Sequence, residues 1–205
     1  MLNVTARQEL MRTIVETLGV VIEEARLDFG EDGLSVRVVD PSHVAMIKMD
    51  VDSAAFETWE VDETQLGLEM RKMHQFLSVA GAGDMVELAY NNDSGQATIH
   101  IGRIDLNLRP LDNSTLNPPN VPSLELPCGV TIGGSELAQA LKAAKLVGDL
   151  VNLSLNEDTF TVNVRGSTDS VNLDFSKDEL MAIDCKEAAS SQYSLTYLTP
   201  LTKIF

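Results

Sequence analysis

The sequence predicts an α+β protein made of two similar domains, the second of them incomplete. Three observations predict it: one hairpin pattern is written twice, an amphipathic helix precedes each copy, and a proline-rich stretch lies between them. The first hairpin is "RLDFGEDGLSVRVVD", Arg26 to Asp40. Leu27 and Phe29 alternate with polar residues, Gly-Glu-Asp-Gly makes the turn, and Leu34, Val36 and Val38 alternate on the return. Nearly the same text recurs from Asn152 to Gly166 as "NLSLNEDTFTVNVRG".

The elements follow in order. In "TARQELMRTIVETLGVV" Leu10, Met11, Ile14, Val15 and Leu18 recur at helical spacing, with Thr5 and Gln8 as a capping box. The first hairpin and the strand in "HVAMIKMDV" come next. A second helix spans "LEMRKMHQFLSVAGAG", where Met70, Met73, Phe76, Leu77 and Ala80 share a core face. "DMVELAY" and the hairpin "ATIHIGRIDLNL", turned at Gly102-Arg103, complete domain one, residues 1–111. Residues 112–127 form an extended connector: the run "PLDNSTLNPPNVPSLELPC" holds prolines 110, 118, 119, 122 and 127, which exclude helix and disfavour an interior strand.

Domain two, 128–205, restarts the series. "GGSELAQALKAAKLVGD" sets Leu137, Leu141, Ala144 and Val147 on one face, with Ser135 as N-cap. After its hairpin come the strand "STDSVNLDFS" and a last helix, "SLTYLTPLTKIF", which Pro200 is expected to kink. Glu9-Leu10 corresponds to Glu136-Leu137 and Glu31-Asp32 to Glu157-Asp158, so one insertion or deletion separates the copies of a duplicated unit. Nothing in copy two corresponds to Asp84 through Leu111, so this domain is expected to lack its last strands.

Composition narrows the function. Acids outnumber bases 31 to 15, a net charge of −16, which opposes generic attraction to nucleic acid or an anionic membrane. Any such binding has to be local. Cys128 and Cys185 stand far apart without CxxC spacing, implying neither zinc nor a disulfide framework, and are expected to be buried free thiols. "MLNVTARQEL" carries no secretory pattern, and no apolar run approaches the ~18 residues of a membrane span. The chain reads as cytoplasmic, without membrane partner, cofactor or metal.

Each helix carries a base outside its core stripe: Arg12, Arg71, Lys142 and Lys203. Each is explained separately by an ordinary solvated face. If all four helices lie on one side of their sheets, the bases gather on a surface able to meet phosphates without reading sequence.

The stretch "VVDPSHVAMIKMDVDSAAFETWEVDE", the helix before it, the duplicated layout and "SLTYLTPLTK" resemble the sliding clamps, the archaeal and eukaryotic proliferating cell nuclear antigen family, over essentially the whole chain. The resemblance implies a DNA polymerase processivity factor. Three protomers would close head to tail as a homotrimer, helices lining the hole and antiparallel sheets outside, with double-stranded DNA threaded through. Short peptide motifs of DNA polymerase, clamp loader, ligase and nuclease would dock on it, in replication and repair.

By the same resemblance Arg12, Lys142 and Lys203 match bore positions, to which the helical wheel adds Arg71. His43, Val44 and Met46, roofed by Val121, Pro122 and Leu124, match the partner pocket, which takes a helical turn bearing one aliphatic and two aromatic residues. The ring-closing edges match Ile104, Leu106 and Leu108 on one side and Val171, Leu173 and Phe175 on the other; the alternative is that these strands pair only within their own sheets. Family members run on for roughly 40 further residues, in keeping with the unmatched strands.

Two other readings compete. Asp40, Ser42 and His43 in "VVDPSHV" suggest catalysis, but three local residues in one run of strand cannot adopt triad geometry, and no GxSxG, HExxH or phosphate-loop motif accompanies them. No enzyme is expected. The other alternative is a clamp-like checkpoint or adaptor subunit that binds partners without a homotrimeric ring.

Overall fold

Both hairpins form in a computed structural model of the chain, which describes residues 1–204. The first unit, Met1–Val121, opens with β1 (Leu2–Arg7) running directly into α1 (Gln8–Gly19). The hairpin is β2 (Glu24–Phe29) and β3 (Gly33–Val39), followed by β4 (Met46–Asp52), β5 (Thr58–Val61), β6 (Thr64–Glu69) and α2 (Met70–Leu77). Three further strands, β7 (Met85–Asn91), β8 (Gln96–Ile101) and β9 (Ile104–Leu108), end it.

The strands make two antiparallel sheets, ordered β5-β1-β7-β8-β9 and β4-β3-β2-β6. Their inner faces and both helices meet around a void of about 20 Å³ lined by Met11, Ile14, Leu27, Phe29, Met70 and Leu88, among others. Period-2 strands and 3.6-residue helices thus bury one face each, about 1.5–3 kcal/mol per large side chain. Gly33 needs to be glycine: its φ is 148°, and a Cβ there would sit 2.1 Å from the Val51 carbonyl across the β3–β4 pairing.

The second unit, Pro122–Phe205, repeats the series element for element: β10 (Cys128–Thr131), α3 (Gly134–Ala144), β11 (Leu150–Leu155), β12 (Thr159–Arg165), β13 (Ser170–Ser176), β14 (Ala182–Cys185), β15 (Ala189–Ser194) and α4 (Leu195–Ile204), the last continuing through Pro200. Its sheets are β13-β12-β11-β15 and the pair β10-β14. Ala140, Leu141 and Ala144 of α3 and Leu195 of α4 pack on Val151, Phe160, Val162 and Val164. In unit one β7 lies against the side of β1 away from β5; no strand takes that place beside β10 among the described residues.

Four expectations need correction. The Thr5–Gln8 capping box does not form, because Thr5 is inside β1 and Arg7 is the N-cap residue, with no side-chain cap. The Gln8 amide instead donates to the Asp84 carbonyl at 2.8 Å, so a neighbouring segment satisfies the helix end. Nor is Ser135 an N-cap: it lies inside α3, behind Gly133. The copies differ by more than one insertion or deletion, since residues 40–45 join β3 to β4 whereas only 166–169 join β12 to β13. Finally, Cys128 and Cys185 are half-buried rather than buried, and stand opposite each other on β10 and β14.

The connector is not free over its whole length. Leu111 bridges to Gly67 on β6, and Asn113 Nδ2 donates to the Gln65 carbonyl at 2.8 Å. A Cβ on Gly67 would meet Leu116 at 2.7 Å and Leu111 at 3.0 Å, so glycine there admits the connector.

Candidate functional site

Charge is partitioned between the helices and the rest of the chain. The four helices carry Arg12, Arg71, Lys72, Lys142 and Lys203 against only Glu9, Glu16 and Glu136, although acids outnumber bases 31 to 15 in the chain. Glu9 is engaged by the segment after α2, accepting from the Gly83 amide at 2.8 Å. The backbone amide of Glu9 itself, and then the Gly83 bond, hold its carboxyl below the ordinary range.

In unit one, α1 and α2 pack side by side, and Arg71, His74, Gln75 and Ser78 form one exposed stripe along α2. Arg12 is exposed but not free: its Nε lies 2.6 Å from Glu16, which also sits 3.1 Å from His74 Nε2. The arginine's bond first, with the histidine's adding, holds the Glu16 carboxyl below its usual pKa. In unit two Lys142 is exposed on α3 and Lys203 on α4, while Lys145 pairs with Asp149. Arg71, Lys142 and Lys203 form no ion pair among the described residues.

The loop 40–45 is the second feature, and it is a loop rather than the run of strand expected. Asp40 is 2% exposed. Its Oδ1 accepts from the amides of Val44 at 2.6 Å and Ala45 at 2.7 Å, and Oδ2 from Ser42 at 2.9 Å. This clasp holds His43 at φ 56°, a left-handed conformation few non-glycine residues adopt. Val44 is pushed out to 67% exposure, and Met46 is exposed beside it. Both Asp40 oxygens accept from loop amides, so the carboxylate orients the loop. In the connector Val121, Pro122 and Leu124 are exposed, Leu124 by 70%. Sequence reading passed over Leu126, equally bare.

The third feature is two sheet edges. β9 is an outer strand of the five-stranded sheet, and β13 an outer strand of its own sheet. On β9, Ile104 is exposed, Leu106 half-buried and Leu108 buried; on β13, Val171, Leu173 and Phe175 are half-buried, with Leu173 and Phe175 packed on the core. Each strand pairs along one side within its sheet and offers the other. Sequence reading also passed over His100, whose Nδ1 lies 2.6 Å from Asp105 across β8 and β9.

Known proteins resemble the chain over nearly its whole length. The model of the proliferating cell nuclear antigen N-terminal domain matches residues 1–105. The DNA polymerase sliding clamp of Methanosarcina mazei is 34% identical over 204 residues, covering 99% of this chain and 83% of that protein. Its counterpart from Halobacterium salinarum is 30% identical over 198 residues, covering 95% and 80%. A structure described as the C-terminal region of FEN-1 bound to A. fulgidus PCNA superposes with a TM-score of 0.94 at 28% identity, covering 100% of this chain and 83% of that one. PCNA from Thermococcus kodakaraensis, at 20% identity and a TM-score of 0.91 over 100% and 85%, shares the fold.

Proposed function

The chain belongs to the proliferating cell nuclear antigen family and acts as a DNA polymerase sliding clamp, and on that premise we propose that three copies close around duplex DNA and slide on it. The observation that carries this reading is the charge partition: helices bearing Arg12, Arg71, Lys142 and Lys203 in a chain of net charge −16. Bases on such helical faces are attracted to phosphates over about a Debye length, near 8 Å in physiological salt, and read no base edges. Weak contacts permit sliding; closure of the ring keeps the clamp on.

In this reading β9 of one protomer adds to β13 of the next, through Ile104, Leu106 and Leu108 against Val171, Leu173 and Phe175. The Asp40 clasp presents His43, Val44 and Met46, and with Val121, Pro122 and Leu124 they receive the partner's helical turn. Peptides of polymerase, clamp loader, ligase and nuclease are the occupants; support comes from the relative from A. fulgidus, which has the C-terminal region of FEN-1 bound to it. The protein performs no catalysis and works in the cytoplasm. No described helix is long and apolar enough to cross a membrane.

The deciding experiment loads the protein on nicked circular DNA with its clamp loader, then linearises the circle. Retention on the circle and loss after cutting is the expected result, together with longer polymerase products on primed circles. Equal retention on both forms would show that attraction, not encirclement, holds the protein.

A further inference from the structure

Cys128 and Cys185 are separated along the chain but directly opposed in the β10–β14 ladder, where their Cα atoms are register partners. At the next rung the Lys186 amide donates to the Pro127 carbonyl at 3.0 Å, so 127–186 is the hydrogen-bonded position and the cysteines form a non-hydrogen-bonded pair. Cα atoms in such pairs lie about 4.5 Å apart, inside the ~4.4–6.8 Å span of disulfides. Both thiols converge on one acceptor, the Glu187 carbonyl, at 2.8 Å from Cys128 Sγ and 3.3 Å from Cys185 Sγ. Both are half-buried, open to small reagents, and free.

From this geometry we infer that Cys128 and Cys185 form a dithiol site that small disulfides oxidise reversibly to a cross-strand disulfide. The Cys128 thiolate attacks one sulfur of the small disulfide, forming a mixed disulfide and expelling one small thiolate. The Cys185 sulfur, giving its proton to solvent as it attacks, bonds to the Cys128 sulfur and expels the second small thiolate. The protein loses two electrons and two protons; the small disulfide is reduced to two thiols. Hydrogen bonding to Cys128, then burial, raises the Cys185 thiol to about 11, so its proton must be given up as the second bond forms. The product fastens β10, whose one strand partner among the described residues is β14, to that partner covalently. It closes a long loop and should raise the melting temperature of the unit by roughly 5–15 °C.

The test equilibrates the 205-residue chain with oxidised and reduced glutathione at graded ratios, reading intact mass, free thiols, non-reducing peptide maps and melting. The expected result is loss of both thiols without an adduct, a crosslinked peptide pair holding Cys128 and Cys185, and a raised melting temperature that reductant reverses. Cys185→Ser should stop at a glutathione adduct on Cys128, with no rise in melting temperature. The reduced variant should melt like the reduced parent, which separates a folding defect from a lost crosslink. Stable adducts on both cysteines of the parent, crosslinks between chains, or thiols that stay free throughout would each overturn the inference.

Discussion

The Glu16 carboxylate of α1 lies 3.1 Å from the His74 imidazole of α2, and the same carboxylate holds Arg12. One acid therefore neutralises a cation on the face proposed to meet phosphates. Its depressed pKa keeps it ionised to lower pH than an ordinary glutamate: a lowered carboxyl stabilises the fold above its unfolded value, and that contribution is lost as pH falls through the lower folded value. Glu16→Gln should free Arg12 and steepen the log–log dependence of DNA affinity on salt by about one. An unchanged slope in titrations of short duplexes would place Arg12 away from the phosphates. As an exposed pair its loss should cost no more than about 1 kcal/mol of stability.

His100 and Asp105 face each other across β8 and β9 at 2.6 Å. Bonding to Asp105 raises the His100 pKa above 6.5, with Glu87 adding. A raised histidine stabilises fully below its unfolded pKa, and the contribution fades as pH rises through the folded one. NMR titration of His100 should show a midpoint above 6.5, and Asp105→Asn should bring it down. The hairpin carrying β9 is thus held more firmly on the acid side of neutrality. A His100 midpoint indifferent to Asp105→Asn would remove the pair from consideration.

Asp40 supports residues 42–45 by three amide contacts from a buried carboxylate. Asp40→Ala strands those amides and should cost about 2–4 kcal/mol by denaturant unfolding, together with most of the affinity for partner peptide. His43→Gly, which suits the positive φ, should leave stability level or slightly improved. If Asp40→Ala bound peptide normally, Val44 and Met46 would not depend on the clasp for their presentation.

The alternation of Leu27, Phe29, Leu34, Val36 and Val38 revealed the first hairpin because a sheet with one buried face writes period two into its strand. The Met70, Met73, Leu77 stripe revealed α2 for the equivalent helical reason. What escaped depended on distant partners. Gln8 finds its acceptor at Asp84, so a capping box was unnecessary and its pattern misled. The facing of Cys128 and Cys185 follows from the register of β10 against β14, which no local pattern encodes. The length of the Asp40 loop was hidden because the repeat was matched through its hairpins, and copy two shortens the chain just beyond them.

A head-to-tail ring makes a demand that a two-fold dimer does not: each protomer contributes two different edges, and each can be spoiled alone. Ile104 on β9 is 43% exposed, so Ile104→Glu should leave the fold intact while placing a charge in the proposed joint. Val171→Glu should do the same on β13. Each variant alone should sediment as a monomer where the parent should sediment as a trimer. Mixed in equal amounts they should give a dimer and nothing larger, since one chain retains β13 and the other β9, and the single sound joint cannot close a ring. Circular dichroism and melting of each variant establish that folding persists. A trimer that survives Ile104→Glu would take β9 out of the joint, and a mixture that stays monomeric would show that β9 and β13 are not each other's partners.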